Sequence, residues 1–165
     1  LYENLAVLPR AFVVAQAQFV ADTWDGTEAA LRLMRDPAFD PTQTVILAGN
    51  GVDSDVATTT SESPVIMTVS YADTEAQFTV EAPNGGYLLL TDAYYPGWQA
   101  TINGETVPLY RADVMFRAVA LKPGNNEVRF TYAPDWLAWV FPVSGIAWLA
   151  VIGVTGSWVF HRRRG

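Results

Sequence analysis

Residues 76–107 read AQFTVEAPNGGYLLLTDAYYPGWQATINGETV, and this stretch alternates strand-forming runs with tight turns. Apolar side chains occupy every second position of residues 76–81, which is the period of a half-buried strand. Asn84-Gly85-Gly86 predicts a turn into a strand at 87–91. Asn103-Gly104 lies between two further short runs and favours the positive φ angles of a type I′ hairpin. The stretch therefore predicts antiparallel strands joined by short connections.

The same pattern continues on both sides of this stretch. We predict further strands at 11–14, 44–47, 65–71, 99–102, 106–109, 115–121 and 127–132. Strands about 8–12 residues apart, with turn signals between them, are typical of an antiparallel β-sandwich. We expect one short helix near the N-terminal part, opening at Thr27-Glu28 and ending at Asp36-Pro37. We interpret this helix as an addition to the sandwich that creates no β-α-β unit, and residues 49–63 as a polar surface loop.

Residues 136–160 form an uncharged run, WLAWVFPVSGIAWLAVIGVTGSWVF. About 20 apolar residues cross the hydrocarbon core of a bilayer, so this run predicts a single C-terminal transmembrane helix. Aromatic residues lie towards both of its ends, as is typical at the headgroup level, and Arg162-Arg163-Arg164 predict a cytoplasmic end. The alternative is a buried core helix of a soluble protein. We therefore predict an extracytoplasmic, mainly β domain over residues 1–135, a membrane span over 136–160 and a cytoplasmic tail over 161–165.

Charge is distributed unevenly along the chain. Residues 1–135 carry all 17 Asp and Glu against six Arg and one Lys, a net charge of −10, although the whole chain has a net charge of −7. An acidic domain repels nucleic acid, so we exclude nucleic acid as a partner. The chain contains no cysteine, which excludes disulfides and zinc-thiolate sites. Leu1 is not an initiator methionine, and we expect export either through a removed signal peptide or through membrane helices upstream.

The most distinctive local string is DAYYPGW, at residues 92–98. Tyr94, Tyr95 and Trp98 could stack on a sugar ring while Asp92 binds hydroxyl groups. The alternative is a structural role, because an Asp, a Pro-Gly turn and a Trp also form a well-packed corner of a sandwich. We favour the corner over the glycan contact.

Two arginines lie close together in YRADVMFRA, at residues 110–118. Arg111 and Arg117 could bind a phosphate or a carboxylated sugar through their planar guanidinium groups. The alternative, which we favour, is an ion pair with Asp92 or Asp113. Aspartates in the 49–63 loop and in DPAFDP, at residues 36–41, could offer oxygen ligands to calcium but lack the ligand number of a calcium loop. His161, the single histidine, has no partner pattern, so we assign no catalytic, cofactor-binding or metal-ligating residue.

Several strings together resemble the C-terminal region of the YfhO-type bacterial membrane proteins. These strings are Tyr2-Glu3-Asn4, Leu8-Pro9-Arg10-Ala11-Phe12, Asp36-Pro37-Ala38-Phe39-Asp40-Pro41, GYLLLTDAYYPGW at 86–98, Asn103-Gly104, Tyr110-Arg111-Ala112-Asp113 and Phe116-Arg117-Ala118. The resemblance covers most of residues 2–135, and residues 87–118 are its most specific part.

The resemblance implies a larger, multi-spanning parent protein similar to GT-C glycosyltransferases, which use a polyprenyl-phosphate sugar and carry their catalytic acid in an early external loop. Two hypotheses follow. In the first, the chain is a non-catalytic β-domain and the last membrane helix of a cell-envelope glycosyltransferase in the bacterial plasma membrane. Its partners are then the lipid bilayer, upstream membrane helices of the same protein and an envelope glycan. In the second, it is a non-enzymatic, membrane-anchored binding or scaffold module.

Overall fold

The computed structural model describes residues 7–51, 54–55, 62–134, 142–146, 148–149 and 151–152. The chain divides into two compact units, Leu1–Tyr132 and Ala133–Gly165. All of the β structure in the described residues lies in the first unit.

The first unit contains twelve strands and one helix among its described residues. In chain order they are β1 (Ala11–Val14), β2 (Gln16–Val20), α1 (Trp24–Met34), β3 (Thr44–Ala48), β4 (Ser54–Asp55), β5 (Val65–Ala72), β6 (Glu75–Ala82), β7 (Gly86–Leu90), β8 (Trp98–Ile102), β9 (Glu105–Val107), β10 (Tyr110–Ala112), β11 (Phe116–Leu121) and β12 (Gly124–Tyr132). They form a seven-stranded sheet in the order β1-β7-β11-β10-β3-β2-β4 and a five-stranded sheet in the order β5-β6-β12-β8-β9.

The two sheets bury a common core. Strands β6, β8 and β12 of one sheet and β7 and β11 of the other contribute its side chains, among which Phe78, Phe130 and Leu88 are at most 2% exposed. The rings of Phe78 and Phe130 meet edge to face, with their centroids 6.2 Å apart. A second cluster of buried side chains belongs to the seven-stranded sheet alone and includes Leu47 and Leu89. The predicted mainly β architecture of two packed sheets is confirmed.

The prediction that the helix creates no β-α-β unit is wrong. Strands β2 and β3 pair in parallel, with Gln16 opposite Thr44, and α1 connects them. The seven-stranded sheet is therefore mixed. The strand β2 was missed because its polar glutamines give QAQFV little apolar character. A parallel pair needs a long crossover, and a helix provides it.

The helix begins earlier than predicted, at Trp24 instead of Thr27. Thr23 is its N-cap, with extended backbone, and its hydroxyl oxygen accepts a hydrogen bond from the Gly26 amide at 3.2 Å. Gly26 is required because a Cβ there would lie 1.8 Å from the Ala21 carbonyl oxygen. The first turn is therefore fixed against the end of β2.

The turns of the second half follow the sequence closely. Asn103 and Gly104 have φ angles of 52° and 82°, as a type I′ hairpin between β8 and β9 requires. The strand β12 begins at Gly124, three residues before the predicted start, since the buried Asn126 side chain donates to the Lys122 and Gly124 carbonyls, each at 2.9 Å. The short strand β10 was not predicted; it pairs with both β3 and β11. Within the expected polar loop 49–63, residues 54–55 form β4, and most of the others lie outside the described residues.

In the second unit, residues 142–146, 148–149 and 151–152 are helical. Across the described parts of the chain, no helix is both long enough and apolar enough to cross a membrane. The predicted span over 136–160 lies largely outside the described residues, as does the tail over 161–165. The transmembrane helix therefore stays a prediction.

Candidate functional site

A cleft of about 290 Å³ opens at one end of the first unit. The end of β5, the start of β8, the start of β11 and the residues that follow β7 meet there. Its lining residues are Arg10, Tyr71, Ala72, Asp73, Ala76, Asp92, Ala93, Trp98 and Arg117. We call this cavity the Asp92 cleft, because the carboxylate of Asp92 is its most connected group.

Three side chains donate hydrogen bonds to the Asp92 carboxylate. Arg10 contacts Oδ1 through Nε at 3.0 Å and Nη2 at 2.9 Å. Arg117 Nη2 donates to Oδ2 at 2.8 Å, and the Tyr71 hydroxyl donates to the same oxygen. We call these four residues the Asp92 cluster. Their arrangement satisfies a mostly buried carboxylate from three directions and fixes its orientation.

The cluster shifts the acid-base properties of its members. Burial acts to raise the pKa of Asp92, but the hydrogen bonds from Tyr71 and Arg10 and the charges of the two arginines outweigh it, and the pKa is lowered. Burial and the hydrogen bond to Asp92 raise the pKa of Tyr71 to about 12. At neutral pH the site therefore holds an ionised carboxylate and a neutral phenol.

Arg117 is the most buried member of the cluster. Its side chain is only 3% exposed, and burial lowers its pKa, an effect that the Asp92 charge opposes. Its Nε and Nη1 atoms have no hydrogen-bond partner, and among the described residues they are the only buried side-chain nitrogen or oxygen atoms in that state. The guanidinium lies over the Trp98 ring, 3.8 Å from the centroid. The Trp98 ring therefore contributes a cation–π interaction to a guanidinium that lacks hydrogen bonds at Nε and Nη1.

Strand pairing explains how the cluster forms. In the register of β7, Leu90 lies opposite both Ala11 and Arg117, so Arg10 and Arg117 approach Asp92 from two neighbouring strands. The amide of Thr91 donates to the Arg10 carbonyl at 2.8 Å and extends the β1–β7 pairing to the edge of the cleft. Tyr71 comes from the other sheet. The cleft therefore joins both layers of the sandwich.

The Pro96-Gly97 turn positions Trp98. The Trp98 amide donates to the Tyr95 carbonyl at 3.3 Å, and Gly97 has a φ of 104°, which favours glycine. The Trp98 ring lies 5.5 Å from the Tyr132 ring and packs against the common core. Trp98 thus packs as a corner residue and lines the cleft at the same time.

The other residues predicted for this site lie elsewhere. Tyr94 and Tyr95 do not line the Asp92 cleft, and Tyr95 instead contacts Tyr132, with centroids 6.5 Å apart. Arg111 forms its ion pair with Asp22 at 2.6 Å, so the predicted pairing of Arg111 with Asp92 or Asp113 is wrong. β10 runs beside β3 and carries Arg111 towards α1, where Nη1 contacts the Thr27 hydroxyl at 3.3 Å. The predicted ion pair of Arg117 with Asp92 is confirmed.

Sequence reasoning missed Arg10 and Tyr71. Arg10 carries one weak signal, since no other Lys or Arg precedes Arg32 in the chain. Tyr71 lies near the end of an ordinary alternating strand. Only the pairing of β1 with β7 and the packing of the two sheets bring them to Asp92.

Asp113 is a separate buried carboxylate, 6% exposed, in a turn where its own φ is 45°. Its Oδ1 accepts the Ile46 amide at 2.9 Å, and its amide donates to the Ile46 carbonyl at 2.8 Å. Burial raises the pKa of Asp113 to about 6, and the Ile46 hydrogen bond offsets only part of this effect. Asp113 therefore ties β3 to the turn before β11 and is structural.

The aspartates considered for calcium have local roles where the structure describes them. Asp36 accepts the Ala38 amide at 2.9 Å, and Asp40 accepts the amide and hydroxyl of Thr42 at 2.8 and 2.7 Å. Both stabilise turns of the 36–41 segment. Of the loop aspartates, Asp53 lies outside the described residues, and the backbone of Asp55 pairs with Gln16 in β4.

A second groove of about 380 Å³ lies beside these turns. It is lined by Gln16, Gln18, Leu33, Asp36, Ala38, Phe39, Asp40, Gln43 and Thr44. No buried, unpartnered polar atom of the described residues belongs to this groove. The Asp92 cleft is therefore the stronger candidate site.

Comparison with known proteins gives a consistent result. The family model described as bacterial membrane protein YfhO matches residues 30–144. The uncharacterized protein YfhO of Bacillus subtilis (strain 168) is 30% identical over 87 residues, which are 53% of this chain and 9% of that protein. The chain thus corresponds to a small part of the length of this relative. No solved structure matches the chain.

We expect Asp92→Ala to lower the free energy of unfolding of the full chain by about 3–5 kcal/mol, because it leaves the Arg117 charge buried without a counter-ion. Adding Arg117→Met to this variant should recover part of the loss, since the two side chains form one unit. The measurement is urea denaturation in mild detergent. Arg10→Ala is the control, with a much smaller expected loss because its ion pair is solvent-exposed. Additive losses in the double variant would contradict the coupling.

Asp113→Asn tests the second carboxylate through its pH dependence. The folded-state pKa of Asp113 is about 6 and lies above its ordinary value of 3.8, so its contribution to stability is full below pH 3.8 and is lost as the pH rises through 6. The amide variant keeps the acceptor for Ile46 and tolerates positive φ. We expect equal stability at pH 4 and a gain of about 1–3 kcal/mol for the variant at pH 8.

Urea denaturation at both pH values measures this difference. The exposed Glu105→Gln is the control and should change stability equally little at each pH. A gain for Asp113→Asn that is the same at both pH values would contradict the assignment of a raised pKa to Asp113.

Proposed function

This chain belongs to the YfhO family of bacterial membrane proteins, and from that premise we propose that its β-domain contacts envelope glycan through the Asp92 cleft. In this proposal, residues 1–135 are extracytoplasmic, residues 136–160 cross the plasma membrane and residues 161–165 are cytoplasmic. The parent protein is a polytopic glycosyltransferase that uses a polyprenyl-phosphate sugar, and the β-domain holds a glycan without performing the chemistry.

One observation carries the glycan assignment: the ionised Asp92 carboxylate lies beside the Trp98 ring in a single cleft. The part of the Trp98 ring that lines the cleft offers apolar contact to a sugar ring, and a fixed carboxylate next to a guanidinium suits adjacent hydroxyl groups. Arg10, whose side chain is 63% exposed, adds an accessible donor. The cleft therefore offers a sugar ring apolar contact, hydrogen-bond donors and a hydrogen-bond acceptor.

Charge and size narrow the glycan class. The lining carries two positive residues, Arg10 and Arg117, and two negative residues, Asp73 and Asp92, so their formal charges cancel. A neutral sugar fits this balance better than a phosphate or a uronic acid. The volume of about 290 Å³ is at the small end of ligand pockets, which suits one sugar unit of a longer glycan.

The membrane span is supported by the composition of residues 136–160 and by the family. The whole run is uncharged, and the described residues 142–146, 148–149 and 151–152 are helical. Large apolar side chains on these turns are exposed, including Ile146 at 68% and Leu149 at 71%. Such a surface fits hydrocarbon better than water.

One surface favours the alternative, a non-enzymatic binding or scaffold module. Strand β5 is an edge strand of the five-stranded sheet, and its Val65, Met67 and Val69 are 59%, 64% and 55% exposed. An exposed apolar edge is a common site of strand addition by another protein segment. This role is compatible with a glycan in the Asp92 cleft, since neither role needs a catalytic residue in this domain.

We expect the full chain in detergent to bind neutral hexose or N-acetylhexosamine oligosaccharides, and Trp98→Ala to weaken this binding about tenfold, because about 1.5 kcal/mol of apolar ring contact is lost. Isothermal titration calorimetry measures the affinity. Trp24→Ala is the matched control, because Trp24 is 76% exposed and does not line the cleft.

A second variant separates binding from folding in this test. Trp98→Phe keeps an aromatic face over Arg117 and should retain both the fold and part of the affinity. Equal affinity in Trp98→Ala and Trp24→Ala, with circular dichroism unchanged, would contradict the glycan assignment.

The span predicts that the chain expressed in bacteria stays in the membrane fraction after an alkaline carbonate wash. We expect Ile146→Asp to reduce this retained fraction, because a carboxylate at the centre of a span costs about 2.5–3.5 kcal/mol of insertion free energy. Ile146→Leu is the matched control and should behave as the parent chain. Release of the parent chain by the wash would argue against a spanning segment.

A further inference from the structure

Two exposed side chains, those of Tyr95 and Met115, lie next to the Asp92 cleft without lining it. Tyr95 is 63% exposed and Met115 is 56% exposed. The amide of Tyr94 donates to the Met115 carbonyl at 2.6 Å, so the two side chains belong to adjoining loops. We call residues 93–98 together with Met115 the Tyr95 loop.

The Tyr95 loop is held in place by ordered contacts. The Pro96-Gly97 turn closes with the hydrogen bond from the Trp98 amide to the Tyr95 carbonyl. Its C-terminal end is Trp98, which contacts both Arg117 and Tyr132. The exposure of Tyr95 and Met115 is therefore a fixed feature of the surface.

The distribution of charge indicates the kind of partner that suits the Tyr95 loop. Residues 93–99 contain no charged side chain, although residues 1–135 carry a net charge of −10. Bacterial membranes rich in anionic lipid repel an acidic domain over most of its surface. At this end the charges of Arg10 and Arg117 cancel those of Asp73 and Asp92, and Asp113, close to Met115 in the chain, is buried. The Tyr95 loop is thus the part of the domain that approaches a membrane at low electrostatic cost.

The last strand of the β-domain ends at this surface. Tyr132 ends β12, lies opposite Trp98 in the sheet register and contacts the Tyr95 ring. Three residues separate Tyr132 from Trp136, where the uncharged run begins.

We propose that the Tyr95 loop inserts into the headgroup region of the lipid bilayer and orients the β-domain on the membrane. This inference rests on the membrane span of the proposed function. Tyrosine suits the interface because its ring is apolar and its hydroxyl bonds to water or headgroups, and methionine supplies flexible apolar contact. The Asp92 cleft, at the same end of the domain, then opens close to the membrane surface.

The test uses depth-dependent fluorescence quenching in vesicles of phosphatidylethanolamine and phosphatidylglycerol. The chain has no native cysteine, so Pro96→Cys in the full chain carries one environment-sensitive fluorophore in the loop. Glu105→Cys is the matched control, because it lies in the exposed hairpin at the other end of β8. Ile146→Cys reports on the span.

We expect lipids with a headgroup nitroxide to quench the label at position 96 and leave the label at 105 unchanged, and acyl-chain nitroxides to quench the label at 146. Tyr95→Ser with Met115→Ser should reduce the quenching at 96 to the level of position 105. The loop proposal is overturned if position 96 responds only to aqueous iodide, as position 105 does, or if its emission shifts without lipid quenching, which indicates protein contact between copies.

The label at 146 separates the two proposals. Quenching at 146 without quenching at 96 retains the span and overturns the loop insertion. Loss of deep quenching at 146 overturns the span. In that case, quenching at 96 that the serine variants abolish still supports lipid binding by the loop, and its absence overturns it.

Discussion

The Arg117 guanidinium carries a positive charge into a sandwich whose core is built from apolar side chains. Its side chain is 3% exposed, and a charge in that position is costly unless a counter-ion and a polarisable surface meet it. Asp92 provides the counter-ion, and Trp98 provides an aromatic face whose centroid is 3.8 Å from the guanidinium carbon. The arrangement of this end of the domain follows from that requirement.

Several separate parts of the chain have to be correctly placed for Arg117 and Asp92 to form their ion pair. β11 places Arg117 opposite the end of β7, the residues after β7 place Asp92, and the Pro-Gly turn returns the chain so that Trp98 covers the guanidinium. Tyr71 reaches the same carboxylate from the other sheet. A site that both sheets build is preorganised, and a preorganised cleft avoids the entropic cost of ordering on binding. The same end carries the exposed Tyr95 and the departing chain at Tyr132, so the structural pair, the proposed glycan site and the proposed membrane contact share one end of the β-domain.

The sequence predicted the local structure of the second half well. Period-two patterns and turn residues predicted β6, β7, β8 and β11 within a residue or two, and the Asn103-Gly104 hairpin was confirmed. The family resemblance was also confirmed. The first half was harder, because Gln16–Val20 lacks an apolar alternation and its partner β3 follows only after the whole of α1. The strand β2 is stabilised by parallel pairing with the buried strand β3. This contact joins residues far apart in the chain, so strand propensity does not describe it.

The residues of the candidate site also differ in how far the sequence predicted them. For Asp92, Trp98 and Arg117 the sequence offered candidates: it predicted ion pairs of the arginines with Asp92 or Asp113, and the pair of Arg117 with Asp92 forms. Arg10 and Tyr71 reach the same carboxylate from a distant strand and from the other sheet, and neither has a motif. Nothing in the sequence distinguished Arg111 from Arg117. In the structure β10 pairs with β3, and Arg111 forms its ion pair with Asp22.

By itself, the sequence determined where most strands and turns form, where the uncharged run lies and how charge is divided between the segments, because these depend on neighbouring residues and on composition. Only the tertiary structure decided which strands pair, which arginine is buried and which side chains meet in the cleft. Those outcomes depend on contacts between residues far apart in the chain, whose energies appear only once both sheets are assembled.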